Sequence, residues 1–500
     1  MSQLFVQRSS RSSWYHAILK YIPYLAHSSP SSDDSEDYEI QEVYHYSSSD
    51  SDFMYDNDVT WVRSVERNIA ICCQEDFEGS FKSHAIFRIP KALRNVAPDY
   101  LEPQFLSIGP YCNSSKMDSY KWKAAHKMLK RHRHKLRRYY ERIEQHEFAA
   151  REYYSESLKS MSSFEFVTIL VRDGIYLLEL LRVTCEGYKE LDYIDGDPIF
   201  HTSFYNDGIR MDVIKLENQI PFFILLELLK IQEEKEEDHA RSTLVDLTTS
   251  YLLAFSPQKV GRVESHVYRV HFDVEASHIL CFLRTMLLFG TVPNLEGKFE
   301  FGDIKRARAS DSLHNVISSA TKLRQAGIRF VGSKSLHFWD IEYSRGTLSI
   351  PRLALNKFVK TTFLNLIAYE QCKDGIEKHV TAYALFMKDL INSAEDVEHL
   401  RNAQIIESHL GSDEEVAQVF DDLTREVIID GSHVDYLTNV RRELHRYSER
   451  RRNRWRAVLM DRYFNNPWSA ISFIAATVLL ILTFTQTVYA VISYHKASKS

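Results

Sequence analysis

Hydrophobic spacing divides this chain into a helical body and a separate apolar end. Within 61–460, apolar residues recur mainly at the three- and four-residue intervals of helices with one buried face. Val62–Cys73 fits a first helix. Pro90, Pro98, Pro103 and Pro110 then forbid a long helix between 85 and 112, because proline lacks a backbone donor and clashes with the preceding turn. From Met117 to about Ser157 the chain is polar, aromatic and basic with few breakers, which predicts one long helix with a solvated face. Phe164–Val183 is an apolar segment with Asp173 and Glu179 inserted. Within Asp212–Lys230, Leu216, Ile220, Phe223, Leu226 and Leu229 mark an apolar set, and Pro221 suits the first turn of a helix running to Lys230. The acidic run Glu233–Asp238 reads as an exposed loop or helix end. Residues 241–310 are weakly patterned around an apolar element at Ile279–Leu288.

Beyond 310 the period changes twice. Asp311–Gln325 reads as a helix stopped by Gly327, a residue suited to the left-handed position after a helix. Phe338, Asp340 and Glu342 then alternate with Trp339, Ile341 and Tyr343, and Arg345-Gly346 precedes Leu348 and Ile350; this is a hairpin pattern. Helical spacing returns with Leu355, Phe358, Thr362, Leu366 and Tyr369, and again over Val380–Ile391. Ser412-Asp-Glu-Glu415 has the form of a capping box, starting a helix that turns Val416, Val419, Phe420 and Leu423 inward. Residues 433–460 predict a last amphipathic, arginine-rich helix.

The strongest signal lies at the end. From Ala470 to Tyr494 there is no charged residue. About 20 apolar residues at roughly 1.5 Å each cross a hydrocarbon layer of about 30 Å. Trp455 and Trp468 precede this stretch, and Tyr489 and Tyr494 close it, all suited to the membrane interface. The expected class is therefore mainly α: a large helical body with a small β-hairpin element, plus one C-terminal transmembrane helix. The boundaries read as 1–60, an acidic and serine-rich disordered region; 61–460, the helical domain; 461–469, juxtamembrane; 470–492, the transmembrane helix; and 493–500, a short tail.

Composition adds polarity to that plan. The net charge is −6, but 28–58 holds ten Asp and Glu with no Lys or Arg, whereas 441–456 holds eight Arg and two Glu. A segment like 28–58 buries too little apolar area to offset ordering entropy. Its serines beside acids suit an acidophilic kinase, or simply solvate a tail. No charged stripe spans a whole domain, so no nucleic acid is expected as a partner. Residues 1–32 contain Arg and Ser but no acid, faintly in the manner of a transit peptide; no secretory apolar core follows Met1. Arg450, Arg451, Arg452, Arg454, Arg456 and Arg462 precede the apolar end, and only Lys496 and Lys499 follow it. The positive-inside bias puts the body in the cytosol. The arginines either set that topology alone or also contact anionic headgroups, with Arg450, Arg451, Arg452, Arg454 and Arg456 as the candidates.

Candidate chemistry is sparse. The six cysteines include no CxxC pair. The run Lys127–Arg138 offers seven Lys and Arg, either as phosphate contacts or as a solvated helix face. His132 and His134, two apart on a helix, diverge by about 200° and cannot share a metal ion. Asp173, Glu179, Asp212 and Glu217 sit in apolar surroundings, where a carboxyl serves either as a general acid or base or as a hydrogen-bonded structural group. No GxSxG, Walker A, HExxH or kinase signature accompanies them. Catalytic residues, metal and cofactor are all expected to be none. Asn113-Ser-Ser115 is a glycosylation sequon that matters only outside the cytosol.

Several strings resemble one plant family, the domain of unknown function 247. They are Ile89-Pro90-x-Ala92-Leu93-Arg94, Ser107-Ile-Gly-Pro-Tyr111, Met117 with Lys121-Trp122-Lys123, Asp173-Gly174-x-Tyr176-x-Leu178-Glu179-Leu180, and Leu216-Glu217-Asn218-Gln219-Ile220-Pro221-Phe222-Phe223. Further matches are Ala320–Phe330, Asn365–Cys372, Ile391–Val397, Gly411–Val416 and Tyr463–Trp468. The resemblance covers about 66–490. It departs at Cys112-Asn113, where the family usually carries histidine. It implies a plant protein with a C-terminal membrane segment and no established enzymatic activity. It also implies, as an alternative, a pollen-side recognition determinant of grass self-incompatibility. The leading expectation is a membrane-anchored, non-enzymatic interaction or signalling protein whose partners are the bilayer and another protein; an enzyme built on the carboxylates is a further alternative. Physically, the Glu217–Phe223 string predicts a proline-started helix with Phe222 and Phe223 buried, and with Glu217 and Asn218 satisfying backbone groups at its entry.

Overall fold

The computed structural model describes residues 84–112, 114–115, 117–193, 203–257, 276–289, 317–335, 337–428, 435–450, single positions between 453 and 460, and 467–497. The chain divides into Met1–Glu78 and Gly79–Ser500, and every described residue lies in the second unit. The expected helix Val62–Cys73, the acidic segment 28–58, Asn113 of the sequon, and Arg451, Arg452, Arg454 and Arg462 lie outside the described residues.

The body is mainly α-helical, and its apolar run at 164–183 becomes its central post. The helix Ser163–Glu186 is started by Ser162, whose hydroxyl accepts from the Glu165 amide, and its side chains from Phe166 to Arg182 are mostly buried. A helix buried on nearly every side must be wrapped. The helices Asp118–His132, Leu136–Glu144, Phe222–Glu233 and Glu237–Leu252 all pack on it. Gly174 lets one of them approach: a Cβ there would lie 2.4 Å from Leu228 Cδ1.

A second group of elements follows. Strands β1 (Arg329–Ser333), β2 (Glu342–Ser344) and β3 (Thr347–Pro351) form a sheet in the order β1-β3-β2. The β2–β3 pair is the expected hairpin, antiparallel with Ser344 opposite Thr347. Arg345 and Gly346 turn it at φ of 49° and 82°, the two positive values a tight hairpin turn requires. The hairpin is shorter than the alternation implied, because 338–341 form a turn whose Phe338 packs on Phe363 and Tyr383. Strand β1 joins β3 in parallel, and a second parallel pair links β4 (Leu353–Leu355) to β5 (Ile406–Ser408). Helices Lys357–Cys372, His379–Leu390, Ala394–Asn402 and Asp413–Thr424 pack around these strands.

Several expectations need correction. The long helix over 117–157 is three helices, Asp118–His132, Leu136–Glu144 and Glu147–Arg151, because Arg133 takes the left-handed conformation at φ 59°. Residues Ile317–Ser319 are not helical, and the helix before Gly327 is only Ala320–Ala326. The arginine-rich segment expected as one helix to 460 is interrupted: Thr438–Ser448 ends in a turn and bend at 449–450, and helical positions return at 453, 455, 456 and 458. At Ser412 the cap is partial, since Glu415 accepts from Gly411 rather than from Ser412. The full reciprocal box belongs to Ser393 and Asp396. Helices Ser203–Val213 and Glu237–Leu252 were not read from the pattern.

The C-terminal helix Pro467–Ala497 contains Ile471–Tyr494, which is apolar, with a mean hydropathy of 2.0 and no part buried against the body. Thr477, Thr483, Thr485 and Thr487 each return their hydroxyl to the carbonyl four residues back at 2.8 Å, so these polar side chains are satisfied within the helix.

Candidate functional site

The string Leu216–Phe223 forms the turn between the helices Ser203–Val213 and Phe222–Glu233. Pro221 caps the second helix rather than occupying its first turn, with ψ of 135°. The amide of Phe222 donates to Ser277 O at 2.8 Å. Phe222 is buried and stacks on Phe282, with centroids 5.6 Å apart. Phe223 is only half-buried, beside Tyr153 and His146, which corrects the expectation that both rings are core.

The polar residues of the string reach far from their own helix. Glu217 Oε1 accepts from the Ile89 amide at 2.7 Å and from Arg94, while Oε2 accepts from Arg88 Nη1 at 3.2 Å. Asn218 Oδ1 accepts from the Ile108 amide at 2.6 Å, and its Nδ2 donates to Leu106 O and Asp212 O, each at 2.9 Å. Gln219 Oε1 accepts from the Leu280 amide at 3.2 Å, and its Nε2 donates to Val213 O and Lys215 O. Glu217 and Asn218 therefore satisfy backbone groups, but those of residues 89–108 rather than of the entry to their own helix. The proline-punctuated stretch has no helix long enough to pair its own amides, so side chains replace that ladder.

The other carboxylates serve the same stretch. Asp212 accepts from the amides of Gln104, Phe105 and Leu106 and pairs with Lys215 at 2.9 Å. Asp173 accepts from the Gly109 amide at 2.9 Å and pairs with Lys121 at 2.9 Å and Arg172 at 2.8 Å. Lys121 has no exposed surface, and its amine also donates to Ser107 O. Gly109 sits at φ +73°, where a Cβ would fall 2.5 Å from Gln219 O. Asn365 completes the seam: its Oδ1 accepts from the Leu216 amide and its Nδ2 donates to Tyr100 O, both at 3.0 Å. Five strings far apart in sequence, near 90, 108, 173, 217 and 365, thus meet in one buried place. Glu179 stands slightly apart, held by Arg131 at 2.8 and 3.0 Å and by the Tyr193 hydroxyl.

The electrostatics favour holding over proton transfer. Burial lowers the Lys121 amine, opposed by Asp173. Burial pushes the Cys112 thiol up to about 12, with the Glu217 charge adding to it, so no thiolate nucleophile forms near neutrality. Each carboxylate accepts two or more bonds from the chain itself. Lys121, Lys215, Arg88 and Asn365 were not singled out as functional by sequence reading. Only the second lysine carried a signal, as a base three residues after an acid in apolar surroundings, Asp212 with Lys215; Lys121 follows Asp118 at the same spacing but in a polar stretch.

The remaining candidates scatter. In the run Lys127–Arg138, Arg131, Arg137 and Arg138 pair with Glu179, Glu141 and Glu234. His134 lies beyond its helix and contacts the Tyr139 hydroxyl at 3.0 Å. No group of three potential metal ligands occurs among the described residues. Of the C-terminal arginines, Arg450 lies over the Tyr447 ring, and Arg456 lines a cleft of about 410 Å³ with Arg324, Gly327, Arg329, Phe330 and His399.

Comparison with known proteins agrees with the sequence strings. A family model described as a plant protein of unknown function, DUF247, matches residues 86–482. The UPF0481 protein At3g47200 of Arabidopsis thaliana is 28% identical over 83% of this chain and 87% of its own length. The putative UPF0481 protein At3g02645 of the same plant is 23% identical over 86% of this chain and 94% of its own. No solved structure gives a significant match. With the family match running from the first described strings into the middle of the apolar C-terminal helix, the chain belongs to the plant DUF247 family, whose function is unknown.

Proposed function

We propose that this protein is a membrane-anchored interaction platform: a rigid helical body held at a bilayer surface by one C-terminal helix, working through contacts rather than catalysis. The observation that carries the reading is the helix Ile471–Tyr494. It is apolar along 24 residues and covered nowhere by the body. At roughly 1.5 Å per residue it spans about 36 Å, enough for a hydrocarbon layer of about 30 Å. Trp468 and Tyr494, both exposed, mark its two ends. The carboxylates that an enzyme would need are engaged in holding residues 89–109 to the body, which supports the platform reading over a carboxylate-based enzyme.

The arginines 450–456 precede the helix, so the body faces the cytosol under the positive-inside bias. The test is a protease-protection assay on sealed vesicles carrying the full chain with an N-terminal tag, together with carbonate extraction and glycosidase treatment. The expected result is a chain that resists extraction, a body digested from the cytosolic face, and Asn113 without glycan. Extraction by carbonate would overturn the anchor. A protected or glycosylated body would reverse the orientation and move the partner search outside the cell.

A further inference from the structure

We propose that the cleft between the Ala320–Ala326 helix, strand β1 and Arg456 binds a phosphomonoester, supplied as the phosphorylated headgroup of a membrane lipid. The inference rests on the anchored reading above and names the ligand that this face of the body would meet.

The cleft holds about 410 Å³, and its lining includes Arg324, Arg329, Arg456 and His399 together with Ile328 and Phe330. Arg324 is on the helix, Arg329 begins β1, His399 is on the Ala394–Asn402 helix, and Arg456 is at a helical position that follows Thr438–Ser448. Four separate stretches of chain thus bring cationic or protonatable groups to one opening. Among the described residues, no carboxylate lies within ion-pair distance of Arg324, Arg329 or Arg456. At the edge of the cluster, Glu395 Oε1 lies 3.5 Å from His399 Nε2. This contrasts with the basic run Lys127–Arg138, where Arg131, Arg137 and Arg138 meet acids.

One role for Arg456 is local. Its guanidinium lies where a Cβ on Gly327 would be 2.6 Å from Nη1, at the end of the Ala320–Ala326 helix, and a cation there complements the helix dipole. One arginine suffices for that role. Arg324, with Nη1 beside the His399 ring at 2.9 Å, and Arg329, with Nη2 donating to the Thr347 hydroxyl at 3.3 Å, are held by neutral partners rather than by acids. Three planar guanidiniums around an opening match the several acceptor oxygens of a phosphate.

Location decides between sources. Only ten residues separate Arg456 from Pro467, where the C-terminal helix begins. Even fully extended, that link reaches about 40 Å, so the cleft cannot stand far from the bilayer surface. Lipid phosphates there are concentrated and oriented, whereas a soluble phosphate has no such advantage.

The test uses the full chain in a neutral detergent, titrated with dioctanoyl phosphatidylinositol 4-phosphate, its unphosphorylated parent, and soluble inositol 1,4-bisphosphate. The phosphorylated lipid should bind at least about tenfold more tightly than its parent, and both R324Q/R329Q and R456Q should weaken it by about tenfold. R450Q, whose arginine rests on Tyr447 outside the cleft, should change affinity by less than about twofold. Melting temperature of each variant reports folding, so affinity lost at an unchanged melting temperature is loss of the site and not of the fold. Equal binding of the two lipids, or affinity untouched by R324Q/R329Q and R456Q, would overturn the site. Soluble bisphosphate binding as tightly as the lipid would overturn the headgroup assignment. Failure of the anchor appears separately, as carbonate extraction, because these titrations need no membrane.

Discussion

Asn218 places every polar atom of its amide on buried backbone, one acceptor for Ile108 and two donors for Leu106 and Asp212. Truncation leaves three buried groups unpaired, each costing about 1–3 kcal/mol. Asn218→Ala should therefore lower unfolding stability by about 3 kcal/mol or more, read from the denaturant midpoint of the full chain in detergent. A wild-type midpoint would show that the seam does not hold residues 89–109. His278 makes a pH-dependent counterpart. It is fully buried; its Nε2 donates to Ala85 O at 2.8 Å and its Nδ1 accepts from the Cys281 amide at 3.2 Å, which fixes the neutral imidazole. Burial lowers its pKa to about 3 from 6.5. The folded state therefore binds fewer protons than the unfolded chain between those values. Its contribution is fully present above about 6.5 and falls by about 1.4 kcal/mol per pH unit below that, down to about 3. His278→Gln should be less stable at pH 7.5 yet lose less on acidification from pH 6.5 to 5. Parallel melting curves for the two proteins across that range would contradict this.

Elements differ in how plainly the chain announces them. The helix Ser163–Glu186 and the apolar helix at 471–494 are legible because long apolar runs have few other solutions. The β2–β3 turn is legible because Gly346, suited to positive φ, falls between two stretches of alternating residues. The break at Arg133 is not, because arginine is no turn residue; it sits in the left-handed region between two helices that each pack on Ser163–Glu186. Strand β1 is hidden for a related reason: its partner β3 lies eighteen positions on, and a parallel edge leaves no local alternation. The seam itself was visible only as disconnected strings; that Glu217 belongs with Ile89 is a contact across 128 residues that no spacing encodes. Phe222 and Phe223 give a test at this scale. Phe222, stacked in the core, should lose about 3 kcal/mol on truncation to alanine, and Phe223, half-buried on the surface, clearly less. Equal losses in thermal or chemical unfolding would place both rings in the core.

Across the whole molecule, the first-described stretch is stitched to the rest by bonds of very long range. Tyr100 O waits for Asn365, 265 residues later; Ala85 O waits for His278; Ile89 waits for Glu217. Seen from the ribosome, these numbers are times. At roughly 5–20 residues per second, the segment around 85–112 emerges and remains without its partners for some tens of seconds. Its buried apolar residues, Ile86, Leu101, Leu106 and Ile108 among them, are exposed to other chains for that interval. A nascent chain stalled before Asn365 should thus be protease-sensitive across 85–112 and become resistant only when synthesis passes that residue; early resistance would mean that the segment folds without the seam. The apolar helix at 471–494 is made after every other described element, so a body that closes around residues 85–112 once Asn365 is available does so about a hundred residues before that helix begins.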